Sequence, residues 1–134
     1  MTIRRVHIRR WDILFYLSFD TDDKERILDA LVWAQAPSSV IQDVSANISA
    51  GNPNEGFCYS NPLQRKTVIG VSETTTGPEF LNSVVHEITH AAINIARAER
   101  IDPYSEELAY LIGDISHEIS YVVCEMSCPH CRRE

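Results

Sequence analysis

The stretch TTTGPEFLNSVVHEITHAAINIARA, residues 74–98, decides how this chain is read. Thr76 and Glu79 have the spacing of a capping box, in which a hydroxyl and a carboxylate satisfy the unpaired amides that open a helix. Pro78 suits a first helical turn, where its missing amide costs nothing. From there Phe80, Val84, Ile88, Ala91, Ala92 and Ile95 recur every three or four residues, so a helix with one buried face should run to about Ala98. On that helix His86 and His90 are one turn apart, and their imidazoles project from the same side. Two such nitrogens suit one tetrahedral zinc ion, and Glu87 beside them is placed to take a proton from a metal-activated water. The competing reading is two partly buried histidines next to a solvated glutamate.

Working outward, residues 57–60 and 66–72 read as two strands joined through Asn61 and Pro62, a hairpin in which KTVIGVS is the clearer strand. Before them Gly51, Asn52, Pro53, Asn54 and Gly56 form a block of turn residues. Nearer the N-terminus, residues 4–9 are β-prone, and residues 13–19 are apolar enough for either a buried strand or part of a helix. From Thr21 acidic residues open a helical pattern in which Ile27, Leu28, Leu31 and Val32 repeat until Pro37. Residues 38–50 fit a second short helix. Past Ile101, Asp102 and Pro103, one last helix is expected from about Tyr104, carrying Leu108, Leu111, Ile112, Ile115, Ile119 and Val122 or Val123 inward.

At 134 residues and 44% hydrophobic, the chain has the size and apolar content for a single domain. We assign it to residues 1–123, with a cysteine-rich tail at 124–134. Twelve Lys and Arg against nineteen Asp and Glu leave a net charge of −7, which argues against a nucleic-acid footprint or a polybasic membrane anchor. The one basic cluster, Arg4, Arg5, Arg9 and Arg10, flanks Val6, His7 and Ile8 and reads as a charged edge strand. Residues 11–19 are apolar but short, contain Asp12 and run into Asp20, Asp22 and Asp23, so no export signal is read. With no apolar run near the ~18 residues that span a bilayer, the chain is expected to be soluble and cytoplasmic.

Cysteine usage fits that compartment. Cys58 stands alone, and Cys124, Cys128 and Cys131 cluster at the C-terminus, a spacing closer to reduced thiols or a metal knuckle than to a disulfide framework. With His130, the tail CEMSCPHC carries donors suited to a second zinc; the alternative is a frayed, thiol-bearing terminus.

A catalytic zinc usually takes three protein ligands and keeps one position open, and DPYSEELAYLIGD supplies acidic candidates for the third. Together the HEITH helix and this stretch resemble the gluzincin branch of the zincin metallopeptidases. More narrowly, GFCYSNP, KTVIGVS, GPEFLNSVVHEITHAA and DPYSEELAYLIG are similar to uncharacterised HExxH proteins of Bacteroides-type genomes and their prophages. In gluzincins a glutamate on the following helix completes the site and a small residue often stands three places later. Glu106 with Ala109 fits that pattern, and Glu107, which would put Tyr110 at the small position, is the substitute. Acidic residues also favour the first turn of any helix, which is the ordinary account of both.

The resemblance implies an α+β fold in which a small N-terminal sheet packs on two C-terminal helices and the metal sits between those helices beneath the sheet's edge strand. In zincins that edge binds an extended peptide, and residues 68–72 are the candidate for it. Asn94 and Asp114 are candidates to orient the ligand histidines. Tyr110 is a candidate oxyanion donor, against its reading as a core tyrosine. The implied activity is a zinc-dependent hydrolase, a small metallopeptidase acting on a peptide or protein substrate with Glu87 as general base. The alternative from another class is a phage- or prophage-encoded zincin-like module that binds or regulates a partner without turnover.

Overall fold

The computed structural model describes residues 1–51 and 56–127. Two strands open the chain, β1 (Thr2–Ile8) and β2 (Trp11–Phe19), followed by a single 3-10 turn at Thr21–Asp23 and the helices α1 (Lys24–Trp33) and α2 (Ser38–Ser49). A hairpin of β3 (Phe57–Asn61) and β4 (Lys66–Ser72) leads into α3 (Gly77–Glu99), α4 (Glu106–Glu118) and α5 (Ser120–Ser127). The class is therefore α+β, and the open choice for residues 13–19 resolves to a strand. Its side chains alternate between the two faces of the sheet, both of which are covered.

The strands form one mixed sheet in the order β1-β2-β4-β3, with β2 and β4 parallel and the two outer pairs antiparallel. Helices cover both faces. Ile13, Phe15, Leu17, Ile69 and Val71 point to one side and pack on α3, α4 and α5 through Val84, Ile88, Ala91, Ile95, Leu111 and Ile115. Tyr16 and Val68 point to the other side, onto Ile27, Leu31, Val44 and Ile48 of α1 and α2. The expected arrangement of a sheet backing only the C-terminal helices thus becomes three layers, because a strand pair buried on both faces needs a helical cover on each.

Two expectations are corrected. Residues 68–72 are not at the edge: β4 lies between β2 and β3, and six of its seven residues are buried. A continuous apolar run such as TVIGV is what a strand covered on both faces requires. The two edges are β3, which packs on α3, and β1, charged as anticipated by Arg4 and Arg5. Second, the last helix breaks in two at Ile119, whose φ of −111° and ψ of 8° leave the helical range. Ser116 and Ser120 hydroxyls bond to the carbonyls of Ile112 and His117, a local competition with the backbone ladder that favours such breaks.

α3 forms as its sequence dictates. Thr76 adopts extended backbone and its hydroxyl accepts from Glu79 N, while the Glu79 carboxylate takes the Thr75 hydroxyl in place of the reciprocal half of the capping box. The helix ends at Arg100 in the left-handed region with φ of 57°. Glu87 joins the apolar residues as a buried position of this helix.

Candidate metal centre

His86 and His90 are both exposed on α3, and their Nε2 atoms lie 3.2 Å apart with the rings edge to face. Two nitrogens bound at ~2.0–2.1 Å to one tetrahedral zinc stand about 3.3–3.4 Å apart, so the pair is pre-set close to chelating separation. The same distance allows a direct N–H···N bond when the two rings adopt complementary tautomers, which keeps the pair aligned while no ion is present. The donor set and its spacing fit a zinc ion. Both rings are accessible from solvent, so an ion held there has room for further ligands.

Glu87 is 6% exposed, its side chain covered by the start of β3. Gly56, just before β3, lies against its carboxylate. Burial pushes the Glu87 carboxyl above the usual range, with the neighbouring His86 and His90 opposing. That makes it a stronger proton acceptor than a surface glutamate, a property suited to a general base. Cys58, on β3 two residues after Gly56, is half-buried beside it. Burial first, then the Glu87 charge, push the Cys58 thiol up to about 12 against the opposing contact with Ser60, so it is protonated at neutral pH.

Beyond Cys58 a chain of hydrogen bonds ties β2, β4, β3 and α3 together. Trp11 Nε1 donates to Thr67 Oγ1 (2.8 Å), Thr67 and Ser60 share a hydroxyl bond of 2.8 Å, and Asn94 Nδ2 donates to Ser60 Oγ (3.1 Å). Thr67 is fully buried, and its hydroxyl is engaged by both Trp11 and Ser60. The chain fixes the distance between β3 and the histidine-bearing helix. Asn94 therefore acts on β3; it makes no hydrogen bond to either histidine.

The other candidates lie apart from the pair. Arg9, at the β1–β2 turn, donates from Nε to Glu99 (2.8 Å) and from Nη2 to Glu107 (3.1 Å), which clamps the first turn of α4 to the last turn of α3. Glu99 is nine residues beyond His90, ~14 Å along the helix at 1.5 Å per residue. Glu107 is thus engaged elsewhere, and Glu106 beside it is exposed. Among the described residues no group of three His, Cys, Asp or Glu is arranged to hold one metal. The structure brings together His86, His90 and Glu87 and does not bring Glu106 or Glu107 to them. Tyr110 is 67% exposed, which removes the core-tyrosine reading, and Asp114 is exposed as well; neither bonds to a histidine. Cys124 is a half-buried free thiol on α5, and Cys128, His130 and Cys131 lie outside the described residues.

Gly56, Cys58 and Ser60 were not singled out by sequence. The signal for them was period-two alternation, which puts these three on one face of β3, the face that meets α3. Comparison with protein-family models, with curated proteins and with solved structures gives no match, so the chemistry is argued from the geometry of the chain itself.

Proposed function

We propose that this chain is a zinc-dependent hydrolase, a small metallopeptidase that cleaves peptide bonds. The observation that carries the reading is the 3.2 Å separation of His86 Nε2 and His90 Nε2 on an exposed helix face, with the buried Glu87 carboxyl one residue away. A bound zinc ion would supply Lewis-acid polarisation of the scissile carbonyl and acidify a water. Glu87 takes the proton from the attacking water and returns it to the leaving amine, and burial tunes its proton affinity toward neutrality. The outer side of β3 pairs with no other strand among the described residues, so its amides and carbonyls are available to hold an extended peptide.

The second reading is a zincin-like module, phage- or prophage-encoded, that binds a partner without turnover. One observation favours it: among the described residues no third acidic, cysteine or histidine donor joins the pair. The two readings part on Glu87→Gln, tested by metal analysis of the purified protein and cleavage of a broad peptide library. A hydrolase so altered keeps its metal and fold and loses on the order of 10² to 10⁴ in turnover. Cleavage unaffected by the change, or no cleavage by either form while a partner binds both equally, removes the metallopeptidase reading.

A further inference from the structure

Seven residues after His90, the helix presents a third side chain on the histidine face. At ~100° per residue, Arg97 lies about 20° from the direction of both histidines around the axis and ~10 Å further along α3. Arg97 is exposed and, among the described residues, has no acidic partner; the neighbouring Arg9 is the cation that neutralises Glu99 and Glu107. It borders a cleft of about 250 Å³ lined also by Trp11, Ser60, Pro62, Asn94 and Ala98. The volume is below the ~300–1,000 Å³ of sites that enclose a whole drug-sized ligand, and suits one side chain or chain end.

Among the described residues, Arg97 is the one charged residue of the lining. Arg97 offers a planar fork of donors. The Asn94 amide nitrogen carries two hydrogens, of which one is spent on Ser60 Oγ at 3.1 Å, leaving the second for the cleft. That Ser60 bond, and the chain from Ser60 through Thr67 to Trp11, hold the Asn94 side chain in place. Trp11, Pro62 and Ala98 supply apolar walls for a methylene stem. In a chain of net charge −7, an arginine without an acidic partner, beside a cleft with no acidic lining residue among those described, is a local site for a carboxylate and a poor one for an ammonium group.

We propose that this cleft binds a carboxylate of the peptide substrate, and so selects for acidic peptides. The proposal rests on the metallopeptidase reading for the word substrate, not for the binding itself. The cleft includes Ser60 and Pro62, at and just past the end of β3, and an extended peptide along that edge covers ~10 Å in about three residues at ~3.3 Å each. The carboxylate therefore belongs to a residue about two to four positions from the scissile bond, either an Asp or Glu side chain or a nearby free C-terminus.

The test uses zinc-supplemented full-length protein and four peptides of one sequence. Three are blocked at both ends and carry Glu, Gln or Lys at a single position, scanned along the peptide; the fourth carries Gln and a free C-terminal carboxylate. Dissociation constants are measured by calorimetry with the wild type, Arg97→Ala, Arg97→Lys and Arg97→Glu, and cleavage of the same peptides is followed by mass spectrometry. At one position the Glu peptide, or the free acid if the chain end is the ligand, should bind the wild type about ten-fold tighter than the Gln peptide, the scale of a charge-assisted bond. The preference should vanish in Arg97→Ala, return in part in Arg97→Lys and turn toward Lys in Arg97→Glu. Equal affinity for all four peptides, absence of any binding, or a preference for Glu that survives Arg97→Glu overturns the proposal. Charge-dependent binding without cleavage of any peptide leaves the cleft standing and counts against the hydrolase; cleavage indifferent to charge does the reverse.

Discussion

Gly56 has no room for a side chain between β4 and Glu87: a Cβ there would stand 2.9 Å from the Gly70 carbonyl oxygen, 3.0 Å from Glu87 Oε1 and 3.1 Å from its Cγ. The close approach lets the start of β3 lie against the carboxylate, and this burial is what raises its proton affinity. Glycine is required here for proximity and not for an unusual backbone angle.

Gly56→Ala should therefore act on Glu87 as well as on the β3–β4 pairing. The methyl must push the carboxylate or the strand aside, and turnover on any peptide the wild type cleaves should fall at least ten-fold with a melting temperature lowered by only a few degrees. Gly70→Ala is the contrast, since its added methyl overlaps the Phe57 ring, packed beside Phe19 on the α1–α2 side of the sheet. Overpacking of that kind costs about 1–3 kcal/mol, so urea denaturation should show the larger loss of stability for Gly70→Ala. Equal stability losses in the two variants would mean Gly56 is a structural residue only.

The helix that carries the candidate site was legible because it satisfies every local rule at once: Thr76 caps it, Pro78 opens it and the apolar repeat from Phe80 to Ile95 buries one face. The site's second half was not legible, since the β3 residues that meet Glu87 are far away in sequence and their alternation says only which face they share. The position of β4 was misread because strand order depends on which hairpin docks on β2, and that is decided by long-range packing of Val68 and Ile69 on opposite faces of the sheet. Glu106 and Glu107 were candidate ligands by their resemblance to the gluzincin pattern; what holds Glu107 is the Arg9 clamp, whose other partner Glu99 lies ninety residues on, and no local pattern reveals it.

Thr67→Val should destabilise the protein although it removes no apolar contact. The substitution leaves Trp11 Nε1, buried with the 1%-exposed Trp11, without its acceptor, and deprives Ser60 of a partner. An unsatisfied buried donor costs about 1–3 kcal/mol, measurable as a lower urea midpoint with unchanged slope. Thr67→Ser restores the hydroxyl and should recover more than half of the loss. A neutral Thr67→Val would mean that the hydrogen-bond chain does not set the spacing of β3 and α3.

Asp12 gives the stability of the sheet an acid limb. The bond from His7 Nδ1 (3.0 Å) comes first; burial, next in size, opposes it, and the bond and charge of Arg5 (3.2 Å) help hold the carboxyl below the usual range. A depressed folded-state value means that the stabilisation is fully present above the unfolded value, about 4, and is lost as pH falls through the folded one. Asp12→Asn should accordingly be less stable than the wild type at pH 7, with the difference shrinking below pH 4. Because Asp12 is partly exposed, 0.5 M salt should reduce the difference at pH 7 as well. A gap that stays constant from pH 7 to pH 2.5 would exclude the charge as its source.

Removal of the histidines and of the α4 glutamates should have separable effects, and the separation tests how the metal site is built. His86→Ala and His90→Ala each take away one of two nitrogens that are already 3.2 Å apart, so either change should abolish stoichiometric zinc in protein purified under metal-replete conditions. Glu107→Gln removes a charge that Arg9 holds at 3.1 Å; the zinc content should stay as in the wild type, and the pair's loss should appear as a modest drop in stability of up to ~1 kcal/mol, typical of exposed ion pairs. Glu106 is exposed at the same helix start, and Glu106→Gln should leave both zinc content and stability near the wild type. If elemental analysis instead finds that Glu106→Gln sheds zinc while the melting curve is unchanged, α4 must swing toward His86 and His90 on loading, breaking the clamp of Arg9 on Glu99 and Glu107. Arg9→Ala would then tighten zinc binding, because it removes the restraint that holds α4 away, whereas with the clamp intact as observed it should lower stability and leave zinc affinity unaltered.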